Sequence, residues 1–195
     1  MGVGLEICYT IFMFLMIFLI FMLLVSIVLV VVITSAFLGF VFTRVPFVPT
    51  SKADVEFFVK KLALGPKDMV YDLGSGDGKV VFLVNKLSGA SAVGFEMTWW
   101  THLLAKAKLK INDLRFKKKH PITFKNKNFF KANWSEATVI YGYLFPPLMA
   151  KVEEKFLVEC KPGTFAVIRD FPFPNLKPLE IIYRPKSHEL YIYLK

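Results

Sequence analysis

Cysteine and metal-binding patterns are sparse in this chain of 195 residues. The two cysteines are Cys8, inside a strongly apolar segment, and Cys160, far along the chain, so we expect no structural disulfide between them. No Cys/His cluster occurs, and His102 and His120 lack the spacing of metal ligands. Internal repeats and low-complexity linkers are absent as well. The sequence therefore predicts neither a disulfide scaffold nor a bound metal.

Charge is absent from the long segment between Ile7 and Phe42. A membrane-spanning helix needs about 20 apolar residues, so this segment is long enough with a margin. A secretory signal peptide has a basic start and an apolar region of only about 7–15 residues, whereas no Lys or Arg precedes this run. We therefore predict a retained transmembrane helix. A tight two-helix hairpin is the poorer alternative, because Ser26, Thr34 and Ser35 make a weak turn.

The charges that flank the apolar segment predict its orientation. Glu6 is the only charged side chain before it, whereas Arg44, Lys52, Lys60 and Lys61 follow it closely. Because positively charged flanks stay on the negative side of a membrane, we predict a single-pass protein whose C-terminal part lies on the cytoplasmic side.

The chain divides at "RVPFVPTS" (residues 44–51), a join that two prolines make stiff. We predict a membrane anchor over residues 1–44 and a globular domain over residues 45–195, which is long enough for a core. Strand and helix patterns alternate along the domain, and "LEIIYR" and "ELYIYLK" are two consecutive strands at its end. This order predicts an α/β fold with an open sheet of about seven strands, mainly parallel, with an antiparallel edge.

The longest helix predicted in the domain runs from Thr98 to Lys118. Its apolar residues recur at helical spacing and predict the face that packs against the sheet, namely Leu103, Leu104, Ala107, Ile111 and Leu114. We also expect Trp99, Trp100 and Trp134 to be wedged between helices and the sheet.

The stretch "MVYDLGSGDGKVVF" (residues 69–82) has the layout of a nucleotide-binding corner, with a strand, a glycine turn and a helix. Its G-x-G-x-G pattern differs from the dinucleotide fingerprint G-x-G-x-x-G, and the lysine of a P-loop is missing. Asp72, directly before the turn, is a poor neighbour for pyrophosphate and a good one for a cation. Glu96, at the end of the next strand, occupies the position of a ribose ligand. We infer a ligand with an amino or sulfonium group and a ribose.

Asp72 to Gly78 together with Glu96 resemble the seven-strand S-adenosylmethionine-dependent methyltransferases, which implies a Rossmann-like sheet and S-adenosyl-L-methionine as the cofactor. The resemblance implies that Asp72 orients the amino group of the cofactor, that Glu96 binds its ribose and that Met97 lies against its adenine. Asn128 stands where many relatives have an acid that contacts the adenine. The glycine turn that approaches the methionine portion consists of Gly74, Ser75, Gly76 and Gly78.

Four further stretches narrow the resemblance: "VPFVPTS", "VYDLGSGDGK", "GFEMTWW" and "FPFPNLKP". In this order, and after an N-terminal hydrophobic segment, they resemble the membrane-anchored protein-lysine methyltransferases. That group includes the enzymes for the c-type ring protein of ATP synthase and for the adenine nucleotide translocase. The resemblance implies lysine methylation, with the lipid bilayer and a membrane-protein substrate as partners.

The candidate catalytic residues are Tyr143, near the end of the fourth strand, and Thr50, before the first helix of the domain. Thr50 and its neighbour Ser51 are also candidate helix caps. Phe47 and Phe145 are candidate substrate-binding residues, because an aromatic-lined pocket lowers the pKa of an acceptor lysine.

Other functions remain open at this point. A small-molecule or lipid methyltransferase and a non-catalytic cofactor-binding membrane module are the alternatives. Methylation of a DNA base is disfavoured, because no Asp or Asn precedes Pro146 and Pro147. The basic run from Lys106 to Lys131 predicts a solvated face or a contact with anionic lipid. Nucleic acid is an unlikely partner, because aromatic residues are not interleaved with these lysines.

Overall fold

The computed structural model describes residues 2–43, 50–115, 121–183 and 189–195. One long helix precedes an α/β domain in which strands and helices alternate. The helices are α1 (Gly2–Thr43), α2 (Lys52–Lys61), α3 (Lys79–Ser88), α4 (Trp99–Arg115) and α5 (Met149–Glu159). The strands are β1 (Met69–Leu73), β2 (Ser91–Glu96), β3 (Ile122–Asn126), β4 (Val139–Gly142), β5 (Phe165–Arg169), β6 (Glu180–Ile182) and β7 (Leu190–Leu194).

Helix α1 is continuous over 42 residues, so the two-helix hairpin is wrong. Its segment Tyr9–Ser35 is long and apolar enough to cross a membrane by length and composition, and none of it is buried in the protein. The hydroxyls of Ser26, Thr34 and Ser35 donate to backbone carbonyls three or four residues earlier. These polar groups are therefore satisfied within the helix, as a helix in lipid requires.

The seven strands form one sheet in the order β3-β2-β1-β4-β5-β7-β6. Strands β1 to β5 pair in parallel, whereas β7 pairs antiparallel with both β5 and β6. The predicted α/β fold with an antiparallel edge is thereby confirmed. The direction of strand addition reverses between β1 and β4, and such a reversal opens a crevice at the carboxyl ends of the strands.

Helices cover both faces of the sheet. On one face, α2, α3 and α4 contribute Val55, Val81 and Ala105 to an apolar core. On the other face, α5 and the loop before β4 contribute Phe156 and Trp134, and both are fully buried. The prediction that Trp134 is a wedge is confirmed.

The predicted packing face of α4 is wrong. Thr101 and Ala105 face the sheet and are 2% and 0% exposed, whereas Leu103, Leu104 and Ile111 are 57%, 46% and 53% exposed. Small side chains are buried there because α4 lies close to the sheet, and the large ones point outward. Trp99 is also exposed and is no wedge. Ala107 is exposed like the leucines, and the side chain of Leu114 lies outside the described residues.

Gly78, the residue that caps α3, separates steric clash from backbone strain. Its φ is +83°, and an added Cβ would lie 2.4 Å from Phe124 Cζ. We expect Gly78→Ala to lower the free energy of unfolding by about 2–4 kcal/mol, because strain and overpacking add. Gly163→Ala has the same strain in open space and should cost about 1 kcal/mol, and Gly65→Ala about 0.5 kcal/mol or less.

Denaturant unfolding of the chain in mild detergent measures this series. Equal effects of Gly78→Ala and Gly163→Ala would contradict the close packing of α3 against β3.

Candidate active site

Three of the parallel strands bring a carboxylate to the same edge of the sheet. Asp72 lies near the end of β1, Glu96 is the last residue of β2, and Asp170 follows β5 directly. Asp72 and Glu96 were predicted from the sequence. Asp170 was missed, although its place after a buried strand is the same signal.

The glycine turn after β1 has the backbone conformation that its sequence requires. Gly74, Gly76 and Gly78 have φ values of +86°, +53° and +83°, which side chains with a Cβ rarely adopt. The amides of Gly74 and Ser75 both donate to the carbonyl of Phe95 in β2, at 3.0 and 2.9 Å. The turn is therefore bound to the neighbouring strand and leads directly into α3.

Gly94 in β2 makes room for this turn. A Cβ at Gly94 would lie 2.6 Å from Ser75 Oγ, so only glycine allows Ser75 to pack here. Ser75 is buried as a result, and its hydroxyl has no hydrogen-bond partner among the described residues. The isolated glycine within "SAVGFE" was the available signal for this close approach.

Glu96 links the turn to the start of α4. Its carboxylate accepts hydrogen bonds from the amides of Gly76, at 2.8 Å, and Thr98, at 2.7 Å. Asn126, its register partner on β3, donates to the carbonyls of Glu96 and Met97. Asn126 was not recognised from the sequence. Met97 is half-exposed beside this network.

Asp72 is the most perturbed carboxyl group of this edge. It is 3% exposed, and its Oδ2 accepts no hydrogen bond from any described residue. Burial raises the pKa of Asp72 to about 8, with the charges of Glu96 and Asp77 acting in the same direction. A buried carboxylate oxygen without a partner fits a positively charged group that arrives from outside the protein. The amino group of S-adenosylmethionine meets this requirement.

Thr50 and Tyr141 connect the start of the domain to the centre of the sheet. Thr50 Oγ1 lies 2.9 Å from Tyr141 Oη, and both side chains are buried. Tyr141 pairs in register with Asp72 and stacks on Phe58 of α2. Ser51, rather than Thr50, caps α2, because its Oγ accepts from the amide of Asp54 at 3.1 Å.

Tyr143 lies beyond the end of β4, beside the residues that follow β5. The guanidinium carbon of Arg169 is 4.5 Å from the centre of the Tyr143 ring, and the ring of Phe171 stacks on the Tyr143 ring with 6.4 Å between the ring centres. Burial raises the pKa of the Tyr143 hydroxyl, and its hydrogen bond to Asp170 adds to the effect. Arg169 also lies 3.8 Å from a carboxylate oxygen of Asp54 in α2. The edge is therefore tied together by charge as well as by packing.

The remaining predicted residues lie around this edge or outside the described residues. Phe145 is 38% exposed, two positions beyond Tyr143. The Oδ1 of Asn128 accepts from the amide of Phe130 at 2.9 Å and so caps a short 3₁₀ turn. Phe47 lies outside the described residues, so its predicted place in the site stays a prediction.

Relatives of this chain are protein-lysine methyltransferases by name. A protein-lysine N-methyltransferase of Saccharolobus islandicus is 30% identical over 77% of this chain and 94% of its own length. The adenine nucleotide translocase lysine N-methyltransferase of Mus musculus is 27% identical over 71% of this chain. A lysine N-methyltransferase of Rattus norvegicus, named for the c-type ring protein of ATP synthase, is 28% identical over 75% of it. The matches span 58% of the mouse protein and 66% of the rat protein.

Solved structures share the fold. An RNA methyltransferase of Salinibacter ruber, in complex with S-adenosyl-L-homocysteine, has a TM-score of 0.68 and 28% identity and covers 75% of this chain and 93% of its own. An O-methyltransferase of Thermotoga maritima has a TM-score of 0.58 with 14% identity, over 76% of this chain and 67% of its own. The second likeness supports the fold alone.

The raised pKa of Asp72 predicts how stability depends on pH without the cofactor. The folded chain holds this proton more tightly than the unfolded chain, so its contribution to stability is complete below the ordinary pKa of 3.8 and is lost as pH rises to about 8. We expect the Asp72→Asn variant to gain in melting temperature over the unaltered chain as pH rises through this window.

Thermal melting in detergent across this range measures the difference between the two proteins. Glu56→Gln, which alters an exposed carboxylate of α2, should give a curve parallel to that of the unaltered chain. A constant difference for Asp72→Asn across the range would show that Asp72 holds no proton near neutral pH.

The family model of the ANTKMT methyltransferase domain matches residues 72–180, which begin at Asp72 and include the glycine turn, Glu96 and Tyr143. The resemblance predicted from "YDLGSGDG" and Glu96 is thereby confirmed, and the solved relative bound to S-adenosyl-L-homocysteine agrees with the predicted cofactor. This chain is therefore a methyltransferase that uses S-adenosylmethionine, and it belongs to the ANTKMT methyltransferase domain family.

Proposed function

We propose that this protein is a membrane-tethered protein-lysine N-methyltransferase that modifies a lysine of a membrane protein close to the lipid headgroups. Residues 1–44 form its anchor, a single span, and residues 45–195 form the catalytic domain on the cytoplasmic side. The charges after the span, among them Lys52 and Lys60, support this orientation.

One observation carries the proposal: the chain that leaves α1 arrives directly at the cofactor edge. Helix α1 ends at Thr43, and Thr50 is already hydrogen-bonded to Tyr141, the register partner of Asp72. A fully extended chain spans about 3.5 Å per residue, so the seven steps from Thr43 to Thr50 reach about 25 Å at most. A tether this short keeps the active edge near the bilayer. It raises the effective concentration of acceptors in the same membrane and excludes distant ones.

In this proposal, the residues of the β1 and β2 ends hold S-adenosylmethionine. Asp72 pairs with its amino group, the turn from Gly74 to Gly78 approaches its methionine portion, and Glu96 receives its ribose. Met97 and Asn128 flank its adenine. The unpartnered oxygen of Asp72 and the positive φ values of the turn support these roles.

S-adenosylmethionine supplies an electrophilic methyl group on a sulfonium. The acceptor lysine must be neutral when its nitrogen attacks, so the protein has to admit an ammonium and let it lose its proton. Attack by the nitrogen lone pair forms the N–C bond while the C–S bond breaks, and the ammonium proton has left for water beforehand. The protein therefore needs alignment and a partly dry entrance more than a strong base.

The entrance beside β4 and β5 has these properties. Asp170 attracts the acceptor ammonium to the edge, and the rings of Tyr143 and Phe145 desolvate it there. Desolvation disfavours the charged form and so lowers the lysine pKa. Thr50 contributes by holding the start of α2 against Tyr141. Phe47, which is in the join, completes the entrance in this proposal.

The names of the relatives support the acceptor class. The mouse and rat proteins are named for the adenine nucleotide translocase and for the c-type ring protein of ATP synthase, both of which are membrane proteins. A second candidate acceptor is RNA, because the Salinibacter ruber neighbour is an RNA methyltransferase by title. Lipid or small-molecule methylation is the remaining alternative.

Labelled methyl transfer in reconstituted membranes tests the proposal. The full chain, inserted in vesicles with extracted membrane proteins, receives methyl-labelled S-adenosylmethionine. We expect label in lysines of membrane proteins, seen by mass spectrometry as whole-methyl steps. Glu96→Ala should weaken cofactor binding by at least about tenfold, because a hydrogen bond to a charged group is lost. Glu56→Gln is the matched control and should bind and transfer normally.

The acceptor fractions separate the alternatives. Label in RNA, lipid or a small molecule, with none in protein lysine, would overturn the lysine assignment and leave the cofactor assignment standing. Full cofactor affinity in Glu96→Ala would remove Glu96 from the site.

A further inference from the structure

Helix α4 presents large apolar side chains to the outside of the domain. We call Leu103, Leu104, Ala107 and Ile111 the outer face of α4; all four are exposed. Leu104, Ala107 and Ile111 recur at steps of three and four residues, so they form one stripe along the helix. A helix on the surface of a domain in water normally has the opposite arrangement, with apolar residues inside and polar residues outside. This stripe therefore needs a partner.

Lysines frame the stripe. Lys106, Lys108 and Lys110 alternate with its apolar residues, and all three are exposed. The segment 98–120 carries seven Lys and Arg side chains and one carboxylate, so it holds much of the net charge of +10. Long basic side chains beside an apolar stripe keep their ammonium groups at a polar boundary while their stems stay apolar. This is the composition of helices that lie in the interface of an anionic membrane.

A groove next to α4 extends the same chemistry. Lys52, Lys79 and Lys108 surround it, and Phe82 and Leu83 form its apolar floor. Lys52 pairs with Glu56 and Lys108 with Asp77, but both pairs are exposed and hold their ammonium groups weakly. The groove thus offers three donors to phosphate groups, directly beside the outer face of α4.

The position of the anchor indicates which partner covers this surface. Helices α1 and α4 approach within 8 Å between Cα atoms, so the helix that spans the bilayer passes close to the outer face. Lys52, at the edge of the groove, is only nine residues beyond Thr43, the last residue of α1. The surface that needs an apolar, anionic partner therefore lies where the bilayer is.

We propose that the outer face of α4 and the adjoining lysine groove bind the surface of a bilayer that contains anionic phospholipids. The inference rests on the proposed membrane tether and deepens it, because it fixes how the domain lies on the membrane. With α4 against the headgroups, the start of α4 beside Glu96 faces the bilayer together with the cofactor edge. Lysines near the headgroups are then presented to the active site.

Site-directed fluorescence in vesicles tests this docking. The full chain carries Cys8→Ser, and single cysteines at Leu103, Ile111, Val158 or Leu19 receive an environment-sensitive nitrobenzoxadiazole label. Cys160 is buried, and the Cys8→Ser parent measures its background. Vesicles contain nitroxide-labelled acyl chains in phosphatidylcholine, with or without phosphatidylglycerol. Val158 is the control, because it is 73% exposed on α5, which covers the opposite face of the sheet.

In vesicles with phosphatidylglycerol, we expect labels at Leu103 and Ile111 to be quenched at least about twofold more than the label at Val158, because an interfacial helix buries its apolar face in the lipid. In phosphatidylcholine alone, this excess should fall. Lys106→Glu combined with Lys110→Glu should remove it, whereas Lys161→Glu combined with Lys177→Glu changes the net charge equally and should leave it intact.

Each contrary result has a distinct meaning. A quenched label at Leu19 with unquenched labels at Leu103 and Ile111 would overturn the docking of α4 and leave the tether intact. An unquenched label at Leu19 would overturn the tether as well. Quenching that ignores phosphatidylglycerol would overturn the anionic contact. Labels shielded from water but not quenched would show that a protein covers the face, which also overturns the proposal. Because no methyl transfer is measured, these results are independent of the acceptor assignment.

Discussion

A buried carboxyl group without a partner for one of its oxygens is the constraint on which the active edge depends. Asp72 is enclosed by the glycine turn, by β2 and by β4, and burial raises its pKa to about 8. A charge in this position is costly until a cation neutralises it. The glycine turn, the pinned carboxylate of Glu96 and the close packing of Ser75 on Gly94 all serve to keep this pocket narrow and open to one kind of ligand.

The same centre receives the chain from the anchor. Tyr141 pairs with Asp72 in the sheet and bonds to Thr50, so the segment that follows α1 ends beside the cofactor site. Arg169 links α2 to the end of β5 through Asp54 and contacts Tyr143. Anchor, cofactor site and acceptor entrance are thus parts of one edge. This proximity is why a small domain on a short tether suits acceptors within its own membrane.

Much of this edge was predictable because its signals are local. The acid and alternate glycines from Asp72 to Gly78, and Glu96 at the end of the next strand, carry their conformation and chemistry in the sequence. The outer face of α4 was mispredicted because helical spacing reveals a stripe but not the partner it faces. Contacts across strands were missed for the same reason: Asn126 is polar, exposed and ordinary until the register sets it against Glu96.

Proton release on cofactor binding tests the central claim most directly. The full chain binds S-adenosylmethionine at about pH 7 in buffers of different ionisation enthalpy, and calorimetry gives the number of protons exchanged. Since Asp72 must lose its proton to meet a cation, a pKa of about 8 predicts release of about 0.9 proton per cofactor, and none from the Asp72→Asn variant. Binding without proton release, or equal release by the variant, would contradict the account.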